Sequence, residues 1–316
     1  MCFRPTVTRP TAAIPSLSAV ITPETAYIGC RFFFDIAALY LWGSSAYLWL
    51  LVSASLSGNI WTRQYWFQAI AIGCTIAATT LALPFRSAIL SEDWARASDF
   101  NAMLDILSGT TIGTAWMCQA AGTAAIFLAY IAAPLRLRAA TMTIAAGFLL
   151  TSLAASGHAA MNTGWLGALH RGNDIVHVLA GGAWVGALIP VAFILPRLSD
   201  RRTGRDAAKA LVRFSTAGHV AVGVVLISGV ANMFLIIGGL PLDWSVEYQF
   251  LLCLKILLVL SMTGLAIFNR YVLVPKLSGR HGAVAALRIG TVVEIVLALA
   301  VVGLVAWFGT LEPVAV

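Results

Sequence analysis

Apolar runs of about 20 residues, the length a helix needs to cross the hydrocarbon of a bilayer, alternate with short polar loops along most of this chain. Eight segments stand out, at 28–56, 65–83, 106–133, 139–155, 174–195, 213–237, 249–268 and 284–308. Pro84, Pro134, Pro196 and the pair Gly238-Gly239 fall at segment ends, where residues that cannot continue a helix belong. Small residues at helix-packing spacing, as in Gly182-Ala-Trp-Val-Gly186, let two backbones approach closely in lipid. The pattern predicts an all-α fold, a polytopic membrane helix bundle of eight transmembrane helices forming one domain over 26–316. Residues 1–25, with Pro5, Pro10, Pro15 and Pro23, read as a flexible tail that lacks the apolar stretch of a signal peptide.

Composition agrees. The chain is 60% apolar and 10% charged, with a mean hydropathy of +0.89, against about 45–50% apolar in soluble domains. One globular core of 316 residues cannot bury that much apolar surface. Cys30, Cys74, Cys118 and Cys253 sit in apolar segments and Cys2 in the tail, so no disulfide framework or paired-cysteine motif is visible. The net charge of +7 does not point to nucleic acid, because the basic residues occupy short loops between apolar runs. It points to orientation in lipid. Over alternating loops, 13 of the 20 Lys and Arg residues fall on one side, including Arg197 to Arg213 and Arg270 to Arg288, against six on the other. With the basic side cytoplasmic, both termini are extracytoplasmic, and so is the loop between the fourth and fifth segments.

That loop and the helix after it, SGHAAMNTGWLGALHRGNDIVH over 156–177, hold His158, His170 and His177, three of the five histidines. On a helix that begins near Leu169, His170, Asp174, His177, Gly181 and Trp184 share one face. Met161 follows His158 by three residues. Imidazole binds Cu, Zn, Fe and Ni, whereas a thioether selects Cu(I). A mixed His/Met set on the oxidising side of a membrane therefore indicates copper, with His158, His170, His177, Met161 and Asp174 as candidate ligands. Interfacial, hydrogen-bonded histidines are the alternative. Met233, near the end of the sixth segment, is a further soft donor.

Charges at bilayer depth mark pairing or function. Arg31 and Asp35, four apart on the first segment, have the spacing of a structural ion pair. Lys255 and Glu294 lie on adjacent antiparallel segments, where a lysine stem can reach a carboxylate, either fixing the bundle or forming a polar station on an ion path. His219 reads as a packing residue.

The chain resembles the CopD/PcoD/YebZ-type copper resistance membrane protein family. The resemblance rests on Gly157-His158-Ala-Ala, Asp174-Ile-Val-His177, Gly182-Ala-Trp184-Val-Gly186-Ala-Leu188, Arg213-Phe-Ser215 and Ser228-Gly229-Val-Ala-Asn232. Leu252 to Lys255, Asn269-Arg270 with Pro275, and Arg288 with Glu294 complete it. It covers about 145–310; the first four segments match in number and hydrophobicity. It implies a multi-pass bacterial inner-membrane protein that handles copper, with a small periplasmic carrier of the CopC type as partner. His158 and His177 fall on the family's histidine positions; His170 and His219 do not. The short tail leaves no room for a fused carrier-like β-domain. The function expected is copper ion transport across the cytoplasmic membrane rather than enzymatic chemistry. Two alternatives stay open: a membrane redox protein (a copper-dependent oxidoreductase or one resembling a b-type cytochrome), and a copper sensor or docking receptor. Haem needs axial ligands, and only His158 and His177 lie at matching depth. No ATP-binding loop occurs.

Overall fold

The computed structural model describes residues 21–155, 157, 162–275 and 282–313. Its regular structure is helical throughout: α1 (Pro23–Leu50), α2 (Ala54–Arg63), α3 (Tyr65–Leu90), α4 (Phe100–Gly109), α5 (Thr111–Ala132), α6 (Leu135–Thr151), α7 (Gly164–Val185), α8 (Leu188–Ile194), α9 (Gly204–Ile237), α10 (Glu247–Phe268) and α11 (Ala283–Phe308). Among the described residues, seven helical stretches are long and apolar enough to cross a membrane, so the chain is a polytopic membrane bundle. They are Tyr65–Leu90, Thr111–Ala132, Leu137–Ala155, Gly164–Ser199, Gly204–Ile237, Glu247–Leu273 and Ala283–Phe308. The helix α1 is not among them.

Cap chemistry moves several ends away from the apolar pattern. Helix α1 begins inside the expected tail, where Thr22 accepts from the Thr25 N–H at 3.3 Å and Pro23 supplies a first-turn proline. It ends at Leu50 rather than 56, and α2 follows separately. The third segment divides at Thr110, whose hydroxyl caps α5 by accepting from Gly113 N at 3.1 Å. Pro84 does not stop a helix: it lies inside α3, as membrane helices tolerate when neighbouring groups satisfy the freed backbone. Gly238 does end α9, in the left-handed conformation (φ 70°) that glycine adopts without cost.

Helix α1 is the hub. It packs on α3, α6, α7, α8 and α11, and its polar residues are turned inward: Ser44 and Tyr40 both donate to Gln64 Oε1, at 2.9 and 3.0 Å. Its seam with α7 is made of glycine. A Cβ on Gly43 would lie 2.8 Å from Gly186 Cα, and one on Gly182 would lie 2.6 Å from Trp42. Trp42 Nε1 crosses the seam to donate to Leu179 O at 2.9 Å.

Two further pairs stand beside this hub. Helix α9 packs on α7, and α10 packs on α11. The space left between the pairs is a cavity of about 590 Å³.

Candidate functional site

The cavity gathers the ionisable groups that the bundle interior would otherwise exclude. Helix α7 contributes His170, Asp174 and His177, and α1 contributes Arg31 and Asp35; Lys255 enters from α10. Because α7 starts at Gly164, the whole predicted stripe, His170 through Trp184, lies on one continuous helix, and all five of its residues line the cavity.

A hydrogen-bond chain across the α7–α9 seam holds this face. Asn173 Nδ2 donates to Ser228 O at 2.8 Å and to Asn232 Oδ1 at 2.7 Å. Asn232 Nδ2 then donates to Asp174 Oδ1 at 3.1 Å. A carboxylate only accepts, which fixes the Asn232 amide in this sense. His177 Nδ1 lies 2.9 Å from Ser228 Oγ. Ser228 Oγ also lies within hydrogen-bond distance of Val224 O and Val225 O. With its proton given to either carbonyl, the serine oxygen accepts from a His177 that carries its proton on Nδ1, the tautomer in which Nε2 keeps a lone pair and a histidine can ligate a metal. Gly229 makes room for the ring, since a Cβ there would lie 3.3 Å from His177 Cε1.

His170 is placed differently. It is 1% exposed, and its Nδ1 lies 3.0 Å from Asn162 Nδ2, which also reaches Leu235 O at 3.4 Å. With Nδ1 accepting from that amide, His170 ties the start of α7 to the end of α9. His158 and Met161 lie outside the described residues. Gly157, the residue before His158, lines the cavity, as does Met233, which is buried. Among the described residues, no three of His, Cys, Asp and Glu converge closely enough to hold a metal ion.

The intramembrane charges are not paired as their spacing suggested. Among the described residues, the ion pairs are Arg96–Asp99 and Arg197–Asp200. Arg31 Nη1 donates to Gly309 O at 2.9 Å, so its cation caps the carbonyl end of α11. Lys255 does not meet Glu294: its Nζ lies 5.6 Å from the centroid of the Phe308 ring. Phe308 is 14 residues beyond Glu294, about 21 Å along a helix. The register of the α10–α11 pair thus separates the two. Glu294 instead accepts from Asn269 Nδ2 at 2.7 Å. His219 lies at the surface, 2.6 Å from Ser215 O and edge-on to Tyr271.

One end of the cavity reaches Gly157 and the Leu240-Pro241 loop. Towards the other end, Trp184 packs with Met262 and Ala298 in an apolar cluster that bounds it. Beyond this cluster Arg63, Arg197 and Arg288 surround a second, separate cleft with Asp200.

Sequence reasoning found the stripe but gave no role to Asn162, Asn173, Ser228, Gly229 or Asn232. The Ser228-Gly229-Val-Ala-Asn232 motif carried the signal, as a run of small and polar residues inside an otherwise apolar helix.

Comparison with known proteins completes the picture. Residues 22–168 match the family described as "Copper resistance protein D-like, N-terminal domain", and residues 208–308 match "Copper resistance protein D". The chain's first half, alike at first sight only in segment number and hydrophobicity, thus carries a family match of its own. The chain is 31% identical over 252 residues to "Inner membrane protein YebZ" of Escherichia coli (strain K12), covering 79% of this chain and 85% of that protein. It is 31% identical over 257 residues to "Copper resistance protein D" of Pseudomonas syringae pv. tomato, covering 77% and 81%. No solved structure matches. The chain belongs to the copper resistance protein D family.

Proposed function

We propose that this protein carries copper across the bacterial inner membrane, taking the ion from an extracytoplasmic mouth at the Gly157 end of the cavity. The coarser part of this reading, a membrane protein that handles copper, follows from the family. The transport step rests chiefly on one observation: His177, its Nδ1 held 2.9 Å from Ser228 Oγ, lines a cavity of about 590 Å³.

The proposed orientation is supported by the basic residues of the loops. The basic residues Arg63, Arg197 and Arg288 gather at the end away from the cavity mouth, and the cytoplasmic side of a membrane protein carries the excess of Lys and Arg. We count α1 as the eighth crossing, since its 28 residues span about 42 Å. Both termini then face outward. His158 and Met161 precede α7 in the chain and His177 lies well inside it, so we take these His/Met donors, suited to Cu(I), as successive ligands along the route inward. Asp174, held by Asn232, supplies negative charge next to it. His170 braces the helix ends that frame the mouth. A periplasmic carrier of the CopC type is the partner that would deliver or receive the ion there.

Reconstitution into sealed vesicles tests the step. Copper should enter protein-containing vesicles at a saturable rate, and His177→Ala should slow it by at least tenfold. Copper that binds but never crosses would make the protein a sensor or docking receptor. A purified protein showing a strong Soret band, lost in His177→Ala, would make it a haem protein and end the transport reading.

A further inference from the structure

Glu294 occupies the middle of α11 and is 5% exposed. Ala298, one turn further on, lines the cavity, whereas Glu294 does not. The Trp184–Met262–Ala298 cluster stands at that boundary. Its hydrogen-bond partner Asn269 is 6% exposed, and the Asn269 Oδ1 atom is buried with no partner. Gly290 leaves the space that this amide fills, for a Cβ there would lie 2.7 Å from Nδ2.

No cation offsets the carboxylate within ion-pair distance among the described residues. The charged groups on elements packed against α11 are engaged elsewhere. Arg31 holds Gly309 O, Lys255 faces Phe308, Arg270 donates to Ser215 Oγ, and Arg197 reaches Asn59 Oδ1. Asp35 lines the cavity and Arg288 the separate cleft. Of the titratable side chains, Tyr47 packs on Phe214, Tyr248 on Phe308 and Tyr271 on His219, while Cys30 donates to Ala78 O and Cys253 to Pro241 O.

A buried carboxylate without a cation is costly, and so is a buried amide oxygen without a donor. One species removes both costs. A protonated carboxyl accepts at one oxygen and donates at the other, which is the complement of a primary amide that donates from Nδ2 and accepts at Oδ1. Two oxygen-bearing side chains are too few for a hard metal cation, which takes six or more ligands. A proton needs only the one carboxylate. We propose that Glu294, held by Asn269, is a proton-binding station that couples copper movement to proton movement. The step is a simple equilibrium, carboxylate plus proton giving carboxylic acid, with no electron transferred. The coupling rests on the transport reading; proton binding at Glu294 does not.

Infrared titration of the purified full-length chain tests the station without any transport. The native protein should show a protonated-carboxyl band that changes with pH and is missing in Glu294→Gln, which keeps the shape and the neutral hydrogen bonds. Asn269→Leu, lacking the amide, should shift that band. A band unchanged in both variants, or no titrating band in the native chain, overturns the station. In vesicles, a pH-sensitive dye should report proton flux on addition of copper, reduced at least tenfold in Glu294→Gln at unchanged copper binding. Copper transport by Glu294→Gln with native proton flux overturns the coupling. A native chain that moves no copper yet shows the Glu294 band would refute transport and leave the station standing.

Discussion

At the residue scale, the proposed site depends on how His177 is held from the opposite helix, where Ser228 Oγ lies 2.9 Å from its Nδ1. Ser228→Ala should therefore weaken copper binding by about 10–100-fold, the usual cost of losing an outer-shell partner of a metal ligand. Competition against a Cu(I) chelator, in protein shown to be folded, measures it; native affinity would detach the serine from the site. Gly229→Ala should act in the same direction by displacing the ring, because its Cβ would lie 3.3 Å from Cε1. The stripe itself was legible in the sequence, since helical period alone puts His170, Asp174, His177, Gly181 and Trp184 on one face. Its supports were not. Asn173, Ser228 and Asn232 act across a helix–helix seam, and no local period records which face of α9 meets α7. His170 shows the same limit: its spacing suits a ligand, yet Asn162 holds its Nδ1.

At the element scale, the positions of the apolar segments were legible because lipid demands long apolar helices. Their ends were less so, because single side chains set them: Thr22 starts α1 early, and Thr110 starts α5 after a break that hydropathy passes over. Pro84 misleads for a related reason, since a proline inside a membrane helix need not end it. The partnering of charges failed most clearly. Spacing along one helix suggested an ion pair of Arg31 with Asp35, but the hydrogen bond that Arg31 makes goes to the α11 carbonyl end, which only tertiary packing brings near. The glycine seam between α1 and α7 gives a direct test of element packing. Gly43→Leu should destabilise the bundle by about 1–3 kcal/mol or more, the cost of forcing bulk into a close-packed contact. Gly218→Ala, with nothing within 4 Å of the added carbon, should leave stability unchanged or raise it slightly. Thermal unfolding in detergent compares the two, and equal midpoints would show that the seam carries no packing energy.

At the scale of the whole molecule, a hub helix and two flanking helix pairs leave between them a cavity lined by the polar groups His170, Asp174, His177 and Lys255. The protein belongs to the copper resistance protein D family, and the proposed route runs from the mouth near Gly157 into this cavity. A topology reporter fused after Val316 should behave as extracytoplasmic; cytoplasmic activity there would put the mouth on the wrong side for a periplasmic carrier. The measurement that bears most directly on the central claim is the Cu(I) affinity of folded His158→Ala and His177→Ala protein against the native chain. Both variants should bind at least 10–100-fold more weakly, since even outer-shell losses cost about that much. Native affinity in both would contradict the account and leave His158 and His177 without a role as copper ligands.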